Sequence, residues 1–222
     1  MKNSGLKKEL NYDPHWYRRI WHTFGAAFLA YYLMPDIYWI HLALYSIGAV
    51  LLTIILVLEV LRVKGKVGSS LFFGLKLRER HRVCSYVLWS VGLLILLFLF
   101  PEPIAIPCLL CVSFADPTIG ELRFKYGLKP AKLIGFLLCF SFFAIAWSEA
   151  PLWAAITIPL VGATVAIGME GRKQWWLDDD LFMQVVPACC VLLICFVAEQ
   201  FGVDILPGPL IPELPPPAWL VG

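Results

Sequence analysis

"IYWIHLALYSIGAVLLTIILVLEVL", residues 37–61, contains no Lys, Arg or Asp and only one Glu, at position 59 near its end. A hydrocarbon core of about 30 Å is crossed by a helix of roughly 20 apolar residues, so this stretch is long enough to span a bilayer. It shows no sustained period-two alternation. In lipid the backbone must satisfy its own hydrogen bonds, so it is read as a helix rather than a barrel strand.

Comparable apolar runs occupy 20–34, 83–100, 103–119, 133–147, 152–169 and 181–201, those at 20–34 and 133–147 being short. The chain is 60% hydrophobic and only 15% charged, which excludes an ordinary soluble domain. The expected fold is all-α: a polytopic membrane helical bundle of about seven transmembrane helices. The seven cysteines all fall in apolar runs, where they act as small apolar residues. Cys108 and Cys111 make a lone CxxC with no second pair for zinc. His15, His41 and His81 have no ligand partner at helical spacing.

Basic residues orient the bundle, because Lys and Arg accumulate in cytoplasmic loops. With the amino terminus inside, segments 1–19, 62–82, 120–132 and 170–180 hold all 18 Lys and Arg. The expected organisation is a basic cytoplasmic segment 1–19, one membrane domain 20–201 with cytoplasmic loops 62–82, 120–132 and 170–180, and a Pro-rich outer tail 202–222. The carboxyl terminus then lies outside. No cleavable signal pattern is evident, and the expected location is the plasma (inner) membrane.

Ionisable residues gather at the cytoplasmic ends of the spans. "VSFADPTIGELRFKYG", residues 112–127, places Asp116 at the mouth of the fourth span. Asp followed by Pro is a standard helix start, so a capping role stands beside a functional one. Glu59 and Arg62 lie three apart on one helix face. Glu170 closes the sixth span, and Asp178, Asp179 and Asp180 precede the seventh. Carboxylates beside a basic loop suit a magnesium-bound nucleotide, since Mg²⁺ takes carboxylate and water oxygens while Arg and Lys neutralise phosphate. These features alone leave a membrane enzyme and a transporter both open.

The opening motif "RRIWHTFG", residues 18–25, resembles the R-[RK]-x-x-H-x-x-G of the membrane CTP-dependent lipid-alcohol kinases, the superfamily of dolichol kinase, phytol kinase and CTP-dependent diacylglycerol kinase. "LEVLR", "LRE", "ADPTIGELRFKYG" and "LDDDL" follow in the same order. The central motif is similar to G-D-x-x-A-x-x-x-G-x-x-x-G, with Ala115, Ile119 and Arg123 in place of three of its small residues. In the later motif, similar to D-D-N-L, Asp180 stands at the Asn.

The resemblance implies phosphoryl transfer from CTP to an isoprenoid or other lipid alcohol at the cytoplasmic face. It implies catalytic roles for Asp116, Glu59 and His22. Nucleotide or phosphate contacts fall to Arg18, Arg62, Arg78, Gly120, Arg123, Lys125 and Gly127. A divalent metal, Mg²⁺, falls to Asp116, Glu170, Asp178, Asp179 and Asp180. The implied partners are the lipid alcohol and the bilayer, without nucleic acid; a homodimer is one open oligomeric state. Two alternatives stand beside this reading: a diverged, non-catalytic membrane protein (transporter or assembly partner), and a cytidylyltransferase acting on a lipid phosphate.

Overall fold

The computed structural model describes residues 14–68, 79, 82–172 and 177–215. Among these, the regular elements are all helical. Helix α1 (Pro14–Phe24) runs into a 3-10 segment, Gly25–Leu33. Then come α2 (Tyr38–Val63), α3 (Ser85–Leu99), α4 (Glu102–Leu110), a π-helical turn (Cys111–Ala115), α5 (Asp116–Tyr126), α6 (Leu128–Ala146), α7 (Leu152–Met169) and α8 (Asp179–Gln200).

Among the described residues, five helices are long and apolar enough to cross a membrane: α2, the continuous Glu102–Tyr126 rod, α6, α7 and α8. The chain is thus a polytopic helical membrane bundle. Helix α3 is apolar but shorter, at 15 residues. The run at 20–34 is divided between the end of α1 and the 3-10 segment rather than forming one α-helix.

The Glu102–Tyr126 rod is the centre of the bundle, with 67% of its most apolar window buried against 11% for α2. Helix α2 packs on α3 and otherwise presents apolar side chains outward, as a helix facing lipid does. Against the rod lie α6 and α8, with α7 packed on both of them, and the core is built from small and aromatic residues such as Ala115, Cys139, Phe143, Trp147 and Ala163. Trp147 donates its indole N–H to the Pro103 carbonyl at 2.9 Å, closing the one polar group of that side chain.

Of the two readings of Asp116, a helix start after a break is not what the chain forms. Ala115 is itself helical (φ −73°, ψ −42°), so the rod passes straight through the Asp-Pro step. Pro117 offers no N–H and its ring crowds the preceding turn; the wider π turn just before it relieves both demands. Thr118 Oγ1 donates to the Phe114 carbonyl at 2.6 Å in the same turn. The stretch 120–132, expected as a loop, is helical on both sides of Gly127. That residue's φ of 87° belongs to glycine and forms the joint between α5 and α6.

The end of the bundle opposite Asp116 is tied by the tail. Leu214 N–H donates to the Leu33 carbonyl at 2.9 Å, and the Glu213 carboxylate accepts the Asp36 N–H at 2.9 Å. Glu102 accepts the N–H groups of Leu210 and Ile211 at 2.9 and 3.1 Å, while Ile205 is buried. The Pro-rich segment is therefore laid back over the bundle as far as it is described. Residues 216–222 lie outside the described ones.

Candidate active site

Three distant stretches of chain meet at the other end of the bundle. His22, in the last turn of α1, Asp116, first residue of α5, and Asp180, in the first turn of α8, each bring a ligand atom to within 4.8 Å of the others. His22 and Asp180 are buried and Asp116 is half-buried. His22 Nε2 stands 3.9 Å from Asp180 Oδ1. Asp178, Asp179 and Asp180 form a second group at the same spacing, sharing Asp180. Asp178 starts α8 in an extended conformation and accepts the Asp179 N–H at 3.1 Å.

This donor set fits a hard divalent cation. Oxygen ligands dominate it, and the carboxylates crowd one another at a distance where like charges repel unless a cation lies between them.

Ser85, at the start of α3, joins the acidic group to its surroundings. Its hydroxyl lies 2.7 Å from Glu79 Oε1 and hydrogen-bonds the Asp178 carboxylate. One hydroxyl proton cannot serve two carboxylates at once, so Ser85 couples the charge of Glu79 to that of Asp178.

The sequence-derived candidates divide. Glu59 and Arg62 form a buried two-pronged pair: Arg62 Nε and Nη2 donate to the two Glu59 oxygens, both at 2.8 Å. Arg62 also donates to the carbonyls of Glu79 (2.9 Å) and Arg82 (2.5 Å), and Glu59 accepts the Cys84 N–H at 2.6 Å. The pair fastens the chain entering α3 to the end of α2. These contacts tie Glu59, expected as catalytic, and Arg62, expected as a phosphate contact, to each other and to the backbone of Glu79, Arg82 and Cys84.

Glu170 stands apart from both acidic groups. It is buried under an ion pair with Arg123 and lies 3.2 Å from Lys132 Nζ. Glu170, expected as a metal ligand, has its charge compensated by these two cations. Arg123 remains partly exposed, and Lys125 is exposed at 3.9 Å from Glu121, which also pairs with Arg19. A Cβ at Gly120 would meet open space, so packing does not require glycine there. Gly127 is a backbone joint, as its φ requires. Arg18 lies on α1, with its side chain outside the described ones; Arg78 lies outside the described residues altogether.

Other polar residues of this region had gone unremarked in the sequence: Ser85, Trp89, Ser113, Lys132 and Gln184. Gln184 was findable, since a fully buried amide one turn inside an apolar helix marks a cavity or a partner. Its Nε2 donates to the carbonyls of Asp180 (2.9 Å) and Trp89 (3.2 Å), so it holds α8 to α3 just beneath the aspartates.

No family model matches the chain, and no solved structure matches it. Among curated proteins, the CTP-dependent diacylglycerol kinase 1 of Schizosaccharomyces pombe is 29% identical across an alignment that takes in 52% of this chain and 62% of that protein. The chain therefore spans less than two thirds of this relative's length. With the helical bundle and its acidic end, this makes the chain an integral membrane protein similar to a CTP-dependent lipid kinase.

Proposed function

We propose that the protein transfers the terminal phosphoryl group of CTP to the hydroxyl of a membrane lipid alcohol, an isoprenoid alcohol or a diacylglycerol, at the cytoplasmic face. The observation that carries this reading is the meeting of His22, Asp116 and Asp180, three residues on separate motifs of the resemblance, at one polar end of the bundle. The similarity to a CTP-dependent diacylglycerol kinase supports the donor and the reaction class.

Asp116, Asp180 and their neighbours Asp178 and Asp179 would hold Mg²⁺, which supplies charge neutralisation for the phosphates of the bound nucleotide. His22 borders the same group and is suited to face the attacking hydroxyl. Lys125 and Arg123, both exposed on α5, are suited to meet phosphate, with Glu170 setting the position of Arg123. Ser85 and Glu79 hold Asp178 in place. Glu59 and Arg62 act on the reaction only by fixing the chain that leads to Ser85.

The test is phosphoryl transfer by purified protein in detergent or nanodiscs. The donors are γ-labelled CTP and, in parallel, ATP; the acceptors are phytol, geranylgeraniol, a long polyprenol and diacylglycerol, with and without Mg²⁺. Mg²⁺-dependent label in one lipid phosphate, lost in Asp116→Asn, is the expected result. A folded protein that neither transfers label nor binds CTP would overturn the kinase reading in favour of a diverged, non-catalytic protein. Release of pyrophosphate from CTP on a lipid phosphate would replace it by cytidylyl transfer.

A further inference from the structure

One helical turn deeper than the His22, Asp116 and Asp180 group lies a second set of polar side chains that the proposed chemistry leaves unused. Trp89 follows Ser85 by one turn on α3, Ser113 precedes Asp116 within the π turn, and Gln184 follows Asp180 by one turn on α8. All three are at most 2% exposed. Trp89 Nε1, Ser113 Oγ and Gln184 Oε1 are each buried without a hydrogen-bond partner, as is Nδ1 of His22 directly above them.

A buried polar atom without a partner is destabilising, and more so in a membrane protein, where water does not reach it. Four such atoms, contributed by four elements, belong to residues gathered around Trp89, whose carbonyl accepts from the Gln184 amide. The ring of His22 meets that of Trp89 edge to face at 6.3 Å. The absence of a side chain at Gly25 is what lets Trp89 and Ser113 approach: a Cβ there would collide with the indole ring and stand 2.9 Å from Ser113 Oγ. Gly92 clears space for Gln184 in the same way, since its Cβ would lie 2.8 Å from the amide carbon. Such concentrated unmet hydrogen-bonding capacity next to a candidate reaction centre is the signature of a site completed by a ligand.

The chemistry of the three groups restricts that ligand. An indole N–H only donates. Gln184 has its amide NH₂ engaged by two carbonyls, so its Oε1 only accepts. The Ser113 hydroxyl does either. The ligand must therefore accept from Trp89 and donate to Gln184, which a neutral hydroxyl does. A phosphate dianion or a carboxylate carries no proton for Gln184 and would be repelled by its carbonyl oxygen and by the aspartates above.

We propose that Trp89, Ser113 and Gln184 form the binding site for the hydroxyl headgroup of the acceptor lipid, on the membrane side of the catalytic carboxylates. This rests on the phosphotransfer reading for the identity of the site as an acceptor site. It goes beyond that reading in assigning residues and in excluding lipid phosphates as occupants.

The experiment uses the full chain in nanodiscs and a diacylglycerol carrying a photoreactive diazirine near its headgroup. Labelling is located by mass spectrometry, and acceptor KM is measured in parallel. The expected result is labelling of the peptides that carry Trp89, Ser113 or Gln184, displaced by dioleoylglycerol and not by phosphatidic acid. Ser113→Ala and Trp89→Phe should each lower labelling and raise the acceptor KM by about five- to tenfold, the loss of one hydrogen bond, and Gly25→Ala, which displaces the indole, should lower labelling too, with the KM for CTP unchanged in all three.

Ser113→Ala removes one oxygen and adds no volume, so it is the variant whose fold controls for the others. Unaltered labelling and acceptor KM in folded Ser113→Ala and Trp89→Phe would overturn the site. Equal displacement by phosphatidic acid would do the same. If the protein transfers phosphate but no variant changes acceptor KM, the kinase reading stands and the site falls. If the probe labels this layer and the variants abolish labelling while CTP is never consumed, the site stands and the kinase reading falls.

Discussion

Arg62 grips both carboxylate oxygens of Glu59 at 2.8 Å, and between them the two side chains bind three backbone groups of the chain leading into α3. An ion pair this buried is sustained by its complete hydrogen bonding rather than by charge attraction alone, because removing two ions from water is costly. It determines where Ser85 sits and, through Ser85, where Asp178 sits.

Glu59→Gln should therefore act on the fold. Breaking one partner of a buried pair costs about 3–5 kcal/mol, and the thermal midpoint in detergent is expected to drop sharply. Glu59→Leu with Arg62→Met, which removes both charges, should be less destabilised than either single change. A Glu59→Gln protein with wild-type thermal stability and no turnover would instead return Glu59 to the chemistry.

Asp116→Asn and Asp180→Asn are expected to behave in the opposite way. Each removes a negative charge from a crowded group, so thermal stability should hold or rise slightly. Turnover should fall by at least about 10²-fold, the usual cost of losing a group that supports charge in a transition state. Isothermal titration of Mn²⁺ into the nucleotide-free protein should show weakened binding in both variants.

Glu170→Gln separates the two carboxylate settings. Glu170 is compensated by Arg123 and Lys132 and stands outside the aspartate groups. Mn²⁺ affinity should be unchanged, whereas the KM for CTP should shift as Arg123 is released from its anchor. A loss of Mn²⁺ affinity comparable to that of Asp180→Asn would make Glu170 a ligand after all.

The two glycines of the central motif should respond differently to alanine. Gly127→Ala forces a side chain onto φ 87° and is expected to cost about 1–3 kcal/mol. Gly120→Ala points a methyl into open space and should leave the melting temperature alone. Any effect of Gly120→Ala on the KM for CTP would then report contact with the nucleotide itself.

Glu102→Ala should loosen the tail without touching the opposite end. Its carboxylate holds two N–H groups of the returning segment, and their loss costs on the order of 1 kcal/mol each at an exposed site. Hydrogen exchange is expected to accelerate across 205–214, while exchange around Asp116 and Asp180 stays as in the wild type.

Local composition was enough to establish the membrane class, the helical state of the long apolar runs and the gathering of charge at their ends, because hydropathy over a bilayer's thickness is a property of contiguous residues. The order of the motifs, likewise, can be read along the chain. Whether Asp116 interrupts its helix could not be read, since an Asp-Pro step is compatible with both a cap and a π turn, and packing chose the turn. Nor could sequence tell which carboxylates share a site. Asp116 and Asp180 meet His22, whereas Glu170, equally acidic and equally near a span's end, meets Arg123 and Lys132. Those partnerships depend on how α1, α5, α7 and α8 rotate and cross as they bury their faces around the central rod. Tertiary packing alone brings together residues so far apart in the chain.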